Sequence, residues 1–249
     1  KATNVFYWIE ANGLKVNPKL FGEYFGVEKE WTYSQFNLKT TTTRPSNSFG
    51  GVNYAALDKK SGCREAFIPS NNFLLEIDIS AYHPTLAAQL VDYEFEEEDI
   101  HQAFADMYGV DYKKAKELTF KQLYGGVFKE YKELEFFKRV EAYIEDISSK
   151  GEHVCKSGYV FKTNMKKQKL FNYILQNTET YYNILILEKI INILKHCKTR
   201  IIHYTYDSFL LDVDKNEQDV IQSIIDVFKL YEFNVKIEAG PNYNSLEKI

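Results

Sequence analysis

The sequence predicts an α+β fold, and three observations carry that expectation. Apolar runs separated by almost nothing, as in IIHYTYDSFLLDV at 201–213, read as antiparallel strands joined by a tight link. Longer stretches bounded by capping residues read as helices. The two kinds are mixed along the chain and the strands are mainly antiparallel, which is the pattern of the α+β class.

Each element has its own local reason. KTTTTRPSNSFGG, 39–51, is a loop punctuated by Pro45 and a glycine pair. FLLEIDI, 73–79, is a short strand whose apolar run stops at Asp78. SAYHPTLAAQLVDY turns helical after Pro84, since proline is tolerated in a first turn. DIHQAFADMYG, 99–109, is a helix opened by Asp99 as N-cap and closed by Gly109. DYKKAKELTFKQLYGG, 111–126, is helical again, and a long amphipathic run continues to Ser149. HVCKSGYVFKT, 153–163, is a hairpin turning at Ser157-Gly158. A long helix from Asn164 to Cys197 precedes the strands at 201–213, and a helix (216–230) and a strand, EFNVKIEA, follow them.

Composition narrows the function classes. With 249 residues and 45% hydrophobic content the chain can bury one large core or two small ones. Its apolar stretches are short and interrupted by Lys, Glu or Asn, so no membrane-spanning helix is expected. KATNVFYWIE lacks the order of a signal peptide, and a start on Lys rather than Met is what a piece trimmed from a longer protein would show. Cys63, Cys155 and Cys197 are odd in number and have no CxxC spacing, which argues for a reducing compartment and against a disulfide framework or zinc site. The net charge of −4 does not advertise nucleic-acid binding, but it is silent about patches, and lysines cluster in 113–121 and 162–169 while acids concentrate in EFEEED, 94–99.

Two constellations carry chemistry. Asp78 and Asp207 each stand where an apolar strand stops, so neighbouring strands would bring both carboxylates to one sheet edge. Paired carboxylates with oxygen-only surroundings suit Mg²⁺, which takes waters and substrate phosphates as its remaining ligands. Two such ions can clamp the attacking and leaving oxygens of a phosphoryl displacement. The plainer alternative is that each aspartate caps a turn. In the helix at 111–126, Lys116, Phe120 and Tyr124 share one face at i, i+4 and i+8, with Lys113 one turn earlier. Such a face could hold a triphosphate and stack a base, and Gly125 and Gly126 would let a backbone or base come close. An ordinary amphipathic helix with solvated lysines explains the same pattern.

Taken together, these residues resemble the palm and fingers of family A DNA polymerases, the bacterial DNA polymerase I group. EIDISAYHPTLAA resembles the first palm motif through Asp78, AKELTFKQLYGG the fingers motif K-x3-F-x3-YG, and TYDSF the second palm motif through Asp207. REAFIP (64–69) is similar to the stretch before the first palm motif, and DIH (99–101) to the tripeptide whose histidine reaches the triphosphate. FNYILQ (171–176) is similar to the N-x3-Q pattern facing the primer–template minor groove, and TTTRPSN (41–47) to the segment whose arginine touches the primer end. Seven similarities in family order are far more specific than one.

The resemblance implies a polymerase palm (an antiparallel sheet with helices) plus helical fingers, lacking an exonuclease domain and most of the thumb. Residues 1–40 would be a thumb remnant or palm start, 41–90 the first part of the palm, 91–152 the fingers and 153–249 the second part of the palm. It implies a DNA-directed DNA polymerase of DNA replication, with two Mg²⁺ ions on Asp78, Ile79 and Asp207. Nucleotide contacts would come from Ile79, His83, His101, Lys113, Lys116, Phe120 and Tyr124, and DNA contacts from Arg44, Arg64, Gly125, Asn172, Gln176 and Tyr206. Expected partners are primer–template DNA, dNTPs and a separate exonuclease or processivity subunit, with no membrane. The expected location is the cytoplasm, the host's if the source is a phage or virus, with an organelle left open.

Four positions depart from the family pattern. Tyr112 stands where the fingers helix usually has an arginine, leaving triphosphate charge to Lys113, Lys114 or His101. Tyr206-Asp207-Ser208 replaces His-Asp-Glu, and a serine there also occurs in related single-subunit RNA polymerases. His83 replaces the glutamate that blocks a ribose 2′-OH; a histidine can exclude that hydroxyl or hydrogen-bond it. Phe120 occupies the position where members with Phe reject dideoxynucleotides and members with Tyr accept them. The alternatives are therefore a sugar-tolerant or RNA-synthesising polymerase, and a catalytically inactive DNA-binding relic.

Overall fold

The computed structural model describes residues 2–47 and 52–249. The chain opens with α1 (Ala2–Asn12), β1 (Leu14–Lys15), α2 (Pro18–Phe25), β2 (Trp31–Thr32), β3 (Phe36–Asn37) and β4 (Ser46–Asn47). It continues through β5 (Phe73–Ile79), α3 (Tyr82–Leu90), α4 (Ile100–Tyr108), α5 (Tyr112–Gly125), α6 (Glu135–Ser149), β6 (Glu152–Val154) and β7 (Val160–Lys162). It ends with α7 (Lys167–Leu194), β8 (Arg200–Thr205), β9 (Ser208–Val213), α8 (Gln218–Lys229), β10 (Val235–Gly240) and β11 (Glu247–Lys248). Helices and antiparallel strands are mixed, and the class is α+β. Among the described residues no helix is long and apolar enough to cross a membrane.

The chain divides into two compact units, one of residues 1–40, 45–80 and 182–249, the other of 41–44 and 81–181. The first unit is organised by a five-stranded sheet in the order β11-β10-β5-β9-β8, with each neighbouring pair antiparallel. FLLEIDI lies at its centre because Leu75, Ile77 and Ile79 alternate onto a buried face while Glu76 and Asp78 stand on the other. A core of Leu14, Phe21, Tyr54, Phe67, Leu210 and Tyr243 ties the N-terminal elements to this sheet.

The second unit is helical apart from the β6–β7 hairpin, which turns at Ser157-Gly158 with Gly158 at φ 82°. Asp99 caps α4 by accepting the backbone N–H groups of His101 and Gln102, and Gly109 ends it in the left-handed region. Phe104, Phe136 and Phe137 are wholly buried and in mutual ring contact, with Phe95 and Tyr108 around them. Ile147, Cys155, Phe161, Leu170 and Ile174 form a second cluster under the hairpin.

Several expected boundaries are corrected. The helix at Pro84 begins earlier, at Tyr82, because Ala81 adopts a left-handed φ of 48° and starts the helix with Pro84 already in its first turn. The run expected to reach Ser149 without interruption breaks after α5, where Gly126 at φ 104° turns the chain before a single 3₁₀ turn at Lys129–Tyr131. The long helix is shorter at both ends than 164–197, α8 is trimmed at both ends, and the last long strand starts at Val235. The loop expected over 39–51 is described as far as Asn47 and contains the two-residue β4; its glycine pair lies outside the described residues.

Candidate active site

The strand-end aspartates become neighbours through register. Asp78 lies opposite Ser208 on β9, and β8 and β9 are linked by only Tyr206 and Asp207. The Ile79 N–H donates to the Asp207 carbonyl at 2.8 Å, so both aspartates sit at the same end of adjacent central strands. Tyr206 adopts φ 57°, the left-handed conformation that primed two-residue turns need. That turn is held by α7, where Asn183 Nδ2 donates to the Tyr206 carbonyl at 2.8 Å and to the Tyr204 hydroxyl at 2.6 Å.

Around this edge the charge is mostly negative. Ser208 Oγ donates to Glu76 Oε1 at 2.5 Å, and the Tyr243 hydroxyl donates to the same oxygen at 3.1 Å. Lys236 lies opposite Asp78 on β10. Its hydrogen bond to Glu238, then the charges of Glu238, Asp78 and Glu76, hold the Lys236 amine above its ordinary value despite partial burial. Among the described residues no group of three or more His, Cys, Asp or Glu converges as a metal cage. Two aspartate carboxylates are hard oxygen donors, a chemistry that fits a hard cation keeping waters and phosphates as its further ligands. Arg64, also in this unit, donates from Nε and Nη2 to the Leu57 carbonyl and lies over the Tyr243 ring at 4.7 Å.

In the second unit, α5 carries the cation-aromatic face. Glu117 pairs with Lys121 at 2.5 Å and with Lys114 at 3.5 Å, whereas Lys113 and Lys116 are exposed with no ion pair among the described residues. Phe120 and Tyr124 stack at 5.9 Å between centroids, and the His101 ring lies 6.0 Å from Phe120. Burial, then the Lys116 charge, pushes the His101 imidazole below its ordinary value against the opposing pull of Asp99. Gly125 ends the helix in open space, where an added Cβ would meet nothing. Tyr112 packs its ring on the edge of His101 and donates its hydroxyl to Asp99 at 3.4 Å.

Sequence reasoning missed Glu179. This α7 side chain is 1% exposed and accepts from Arg44 Nε at 2.8 Å and Nη2 at 3.0 Å. His83 Nε2 lies 2.5 Å from Oε2, the oxygen that also accepts from Arg44 Nη2, and the Tyr124 hydroxyl lies 2.7 Å from His83 Nδ1. Burial alone would raise the Glu179 carboxyl, but His83 and Arg44 together outweigh it and hold the group below its ordinary value. The sequence shows only a polar run, Asn177, Thr178, Glu179 and Thr180, in a helix with other polar residues; that the run is buried and therefore needs partners appears only in the structure.

The remaining expected contacts also have protein partners here. Asn172 Nδ2 donates to the Tyr124 carbonyl at 3.0 Å, and Thr42 Oγ1 donates to Gln176 Oε1 at 2.9 Å. Arg44, His83 and Tyr124 are thus gathered around Glu179, with Asn172 joined through the Tyr124 carbonyl and Gln176 bonded separately to Thr42; His101, Phe120 and Lys116 lie on α4 and α5.

One unit carries a five-stranded antiparallel sheet with two aspartates at one strand end, and the other is helical and presents lysines and aromatics. Solved structures with this fold include the POL domain of Pol1 from M. smegmatis, in complex with DNA primer-template and dNTP. The TM-score is 0.72 at 15% identity, covering 87% of this chain and 48% of that one. The chain therefore spans about half the length of that relative, and the likeness is one of fold. No family model and no curated protein matches the sequence.

Proposed function

We propose that this chain is the palm-and-fingers core of a template-directed DNA polymerase, a nucleotidyltransferase that extends a primer 3′-OH with dNTPs. The observation that carries the reading is the register that sets Asp78 and Asp207 side by side at one end of the central strands, in a polymerase fold. Their carboxylates and the Ile79 carbonyl would hold two Mg²⁺ ions, whose charge favours the attacking and leaving oxygens of a phosphoryl transfer. Lys113, Lys116 and His101 meet the triphosphate, a role supported by the absence of competing ion pairs on the two lysines. Phe120 packs on the nucleotide, and Tyr124 and Gly125 border the templating base. Arg44, Arg64, Asn172, Gln176 and Tyr206 contact primer–template DNA. What these residues contribute is positioning and fixed charge.

A second reading, polymerisation of ribonucleotides, is favoured by Ser208, which turns its hydroxyl to Glu76 instead of offering a carboxylate. Extension of a labelled primer–template in Mg²⁺, run in parallel with dNTPs and rNTPs, tests both. Templated extension with dNTPs is expected, and Asp78→Ala and Asp207→Ala should each abolish it while circular dichroism stays unchanged. Activity near wild type in either variant would refute the metal assignment, and equal use of rNTPs would favour the second reading.

A further inference from the structure

His83 raises a question that its residue type alone leaves open: whether it repels a ribose 2′-OH or welcomes it. The surrounding side chains answer it. An ionised Glu179 can only accept, so the hydrogen between it and His83 sits on Nε2. The other ring nitrogen is paired with the Tyr124 hydroxyl. Both polar positions of the imidazole are therefore engaged inside the protein, and a flip of the ring would break both bonds at once. Glu179 is itself fixed by the two-pronged Arg44 fork and lies on a helix whose carbonyl at the same residue accepts from Tyr82 at 3.3 Å. A buried carboxylate needs one cation to be tolerated, and Arg44 supplies it; the contact to His83 is additional to that need.

Resting on the polymerase reading, we propose that Glu179 is a positioning residue for sugar choice. It locks His83 so that the imidazole forms a rigid wall with no ring nitrogen to offer a 2′-OH. A ribonucleotide would then bury its hydroxyl against that wall without a partner, and a deoxynucleotide buries nothing polar there. Glu179 thereby selects deoxynucleoside triphosphates without touching them, acting through a side chain on another helix.

Two variants and two readouts test this. Glu179→Gln keeps the shape and removes the charge; Tyr124→Phe leaves the Arg44–Glu179 pair intact and frees Nδ1. Each should lower the ratio of kcat/KM for dNTP over rNTP on the order of tenfold. In Glu179→Gln, whose side chain touches no nucleotide, the change should come through better rNTP use, with kcat for dNTP largely kept. In the wild-type protein, ¹⁵N-histidine NMR should show one ring N–H protected from exchange at His83, and this protection should be lost in Glu179→Gln. An unchanged ratio in both variants, with extension retained, overturns the proposal and leaves the polymerase reading standing. Should Glu179→Gln fail to fold, the Tyr124→Phe ratio decides alone. A wild-type protein that extends primers equally with both sugars overturns the wall, and one that extends with neither overturns the polymerase reading beneath it.

Discussion

Two buried carboxylates, Glu179 and Asp212, are pushed in opposite directions, and the difference lies in their partners. Asp212 accepts the backbone N–H groups of Ser70 and Asn71 at 2.9 Å each. Burial outweighs those dipoles and the Arg200 and Lys15 charges, so its carboxyl is held above the ordinary range. At Glu179 an arginine and a histidine touch the carboxylate directly, and charge beats burial. The same logic sorts the lysines of α5, where Glu117 pairs with Lys114 and Lys121 while Lys113 and Lys116 have no ion pair among the described residues. Phe120, between those lysines and Tyr124, is half-buried and stacked, and in the proposed function its ring edge meets the nucleotide. Phe120→Tyr adds one hydroxyl at that edge, where it can stand in for a missing sugar 3′-OH. Dideoxynucleotide incorporation relative to deoxynucleotide should rise by about tenfold or more. Competition sequencing lanes or single-turnover insertion would show it, and an unchanged ratio would remove Phe120 from the nucleotide site.

At the scale of elements, the β8–β9 hairpin is the most exacting. It closes through two residues, one of them a tyrosine at φ 57°, a conformation that costs about 1 kcal/mol or more for a non-glycine residue. Asn183 offsets that cost by bonding both the turn carbonyl and the Tyr204 hydroxyl from α7. Asn183→Ala should therefore destabilise the protein by about 1–2 kcal/mol, since it removes both of these hydrogen bonds. Urea unfolding would measure this, and primer extension should weaken as the turn carrying Asp207 loosens; a midpoint equal to wild type would mean the turn holds itself. This hairpin was legible in the sequence because its two apolar runs leave room for nothing but a tight link. FLLEIDI and the Asp99 and Gly109 caps were legible for equally local reasons. The region before residue 47 was not, because its strands are two residues long and owe their pairing to distant neighbours. The candidate site divides the same way. Asp78 and Asp207 mark the ends of readable strands, whereas Glu179 meets His83 and Arg44 across 96 and 135 residues of chain. No periodicity reports a contact at that separation.

At the scale of the whole molecule, stability should depend on pH through a histidine that takes no part in the proposed chemistry. His203, on β8, joins the sheet to the N-terminal elements: Ser34 Oγ lies 2.9 Å from Nδ1 and Thr205 Oγ1 lies 2.5 Å from Nε2. The Tyr54 ring packs at 4.1 Å between centroids. Burial, reinforced by the Arg64 charge, lowers its pKa from 6.5 to about 3. A folded pKa below the unfolded one means that the unfolded chain binds the proton first. The contribution of His203 is then complete above pH 6.5 and is lost as pH falls toward 3. Each pH unit within that window costs up to about 1.4 kcal/mol, against a net stability of about 5–15 kcal/mol for a typical domain. His101 and His153, also lowered by burial, act with the same sign. Glu179 joins only below its unfolded value of 4.5, and Asp212, whose carboxyl is raised, works the other way. Between pH 6.5 and 4.5 the histidines pull against Asp212, and His203, with the largest downward displacement, should dominate the slope. Urea midpoints for wild type should fall steadily across that interval, and in His203→Gln, whose amide can still bond Ser34 and Thr205, the fall should be clearly shallower, with only His101 and His153 left to drive it. An equal slope in both proteins would show that His203 is already solvated in the native state, and that the N-terminal elements are held to the sheet by the Phe21 and Phe67 core alone.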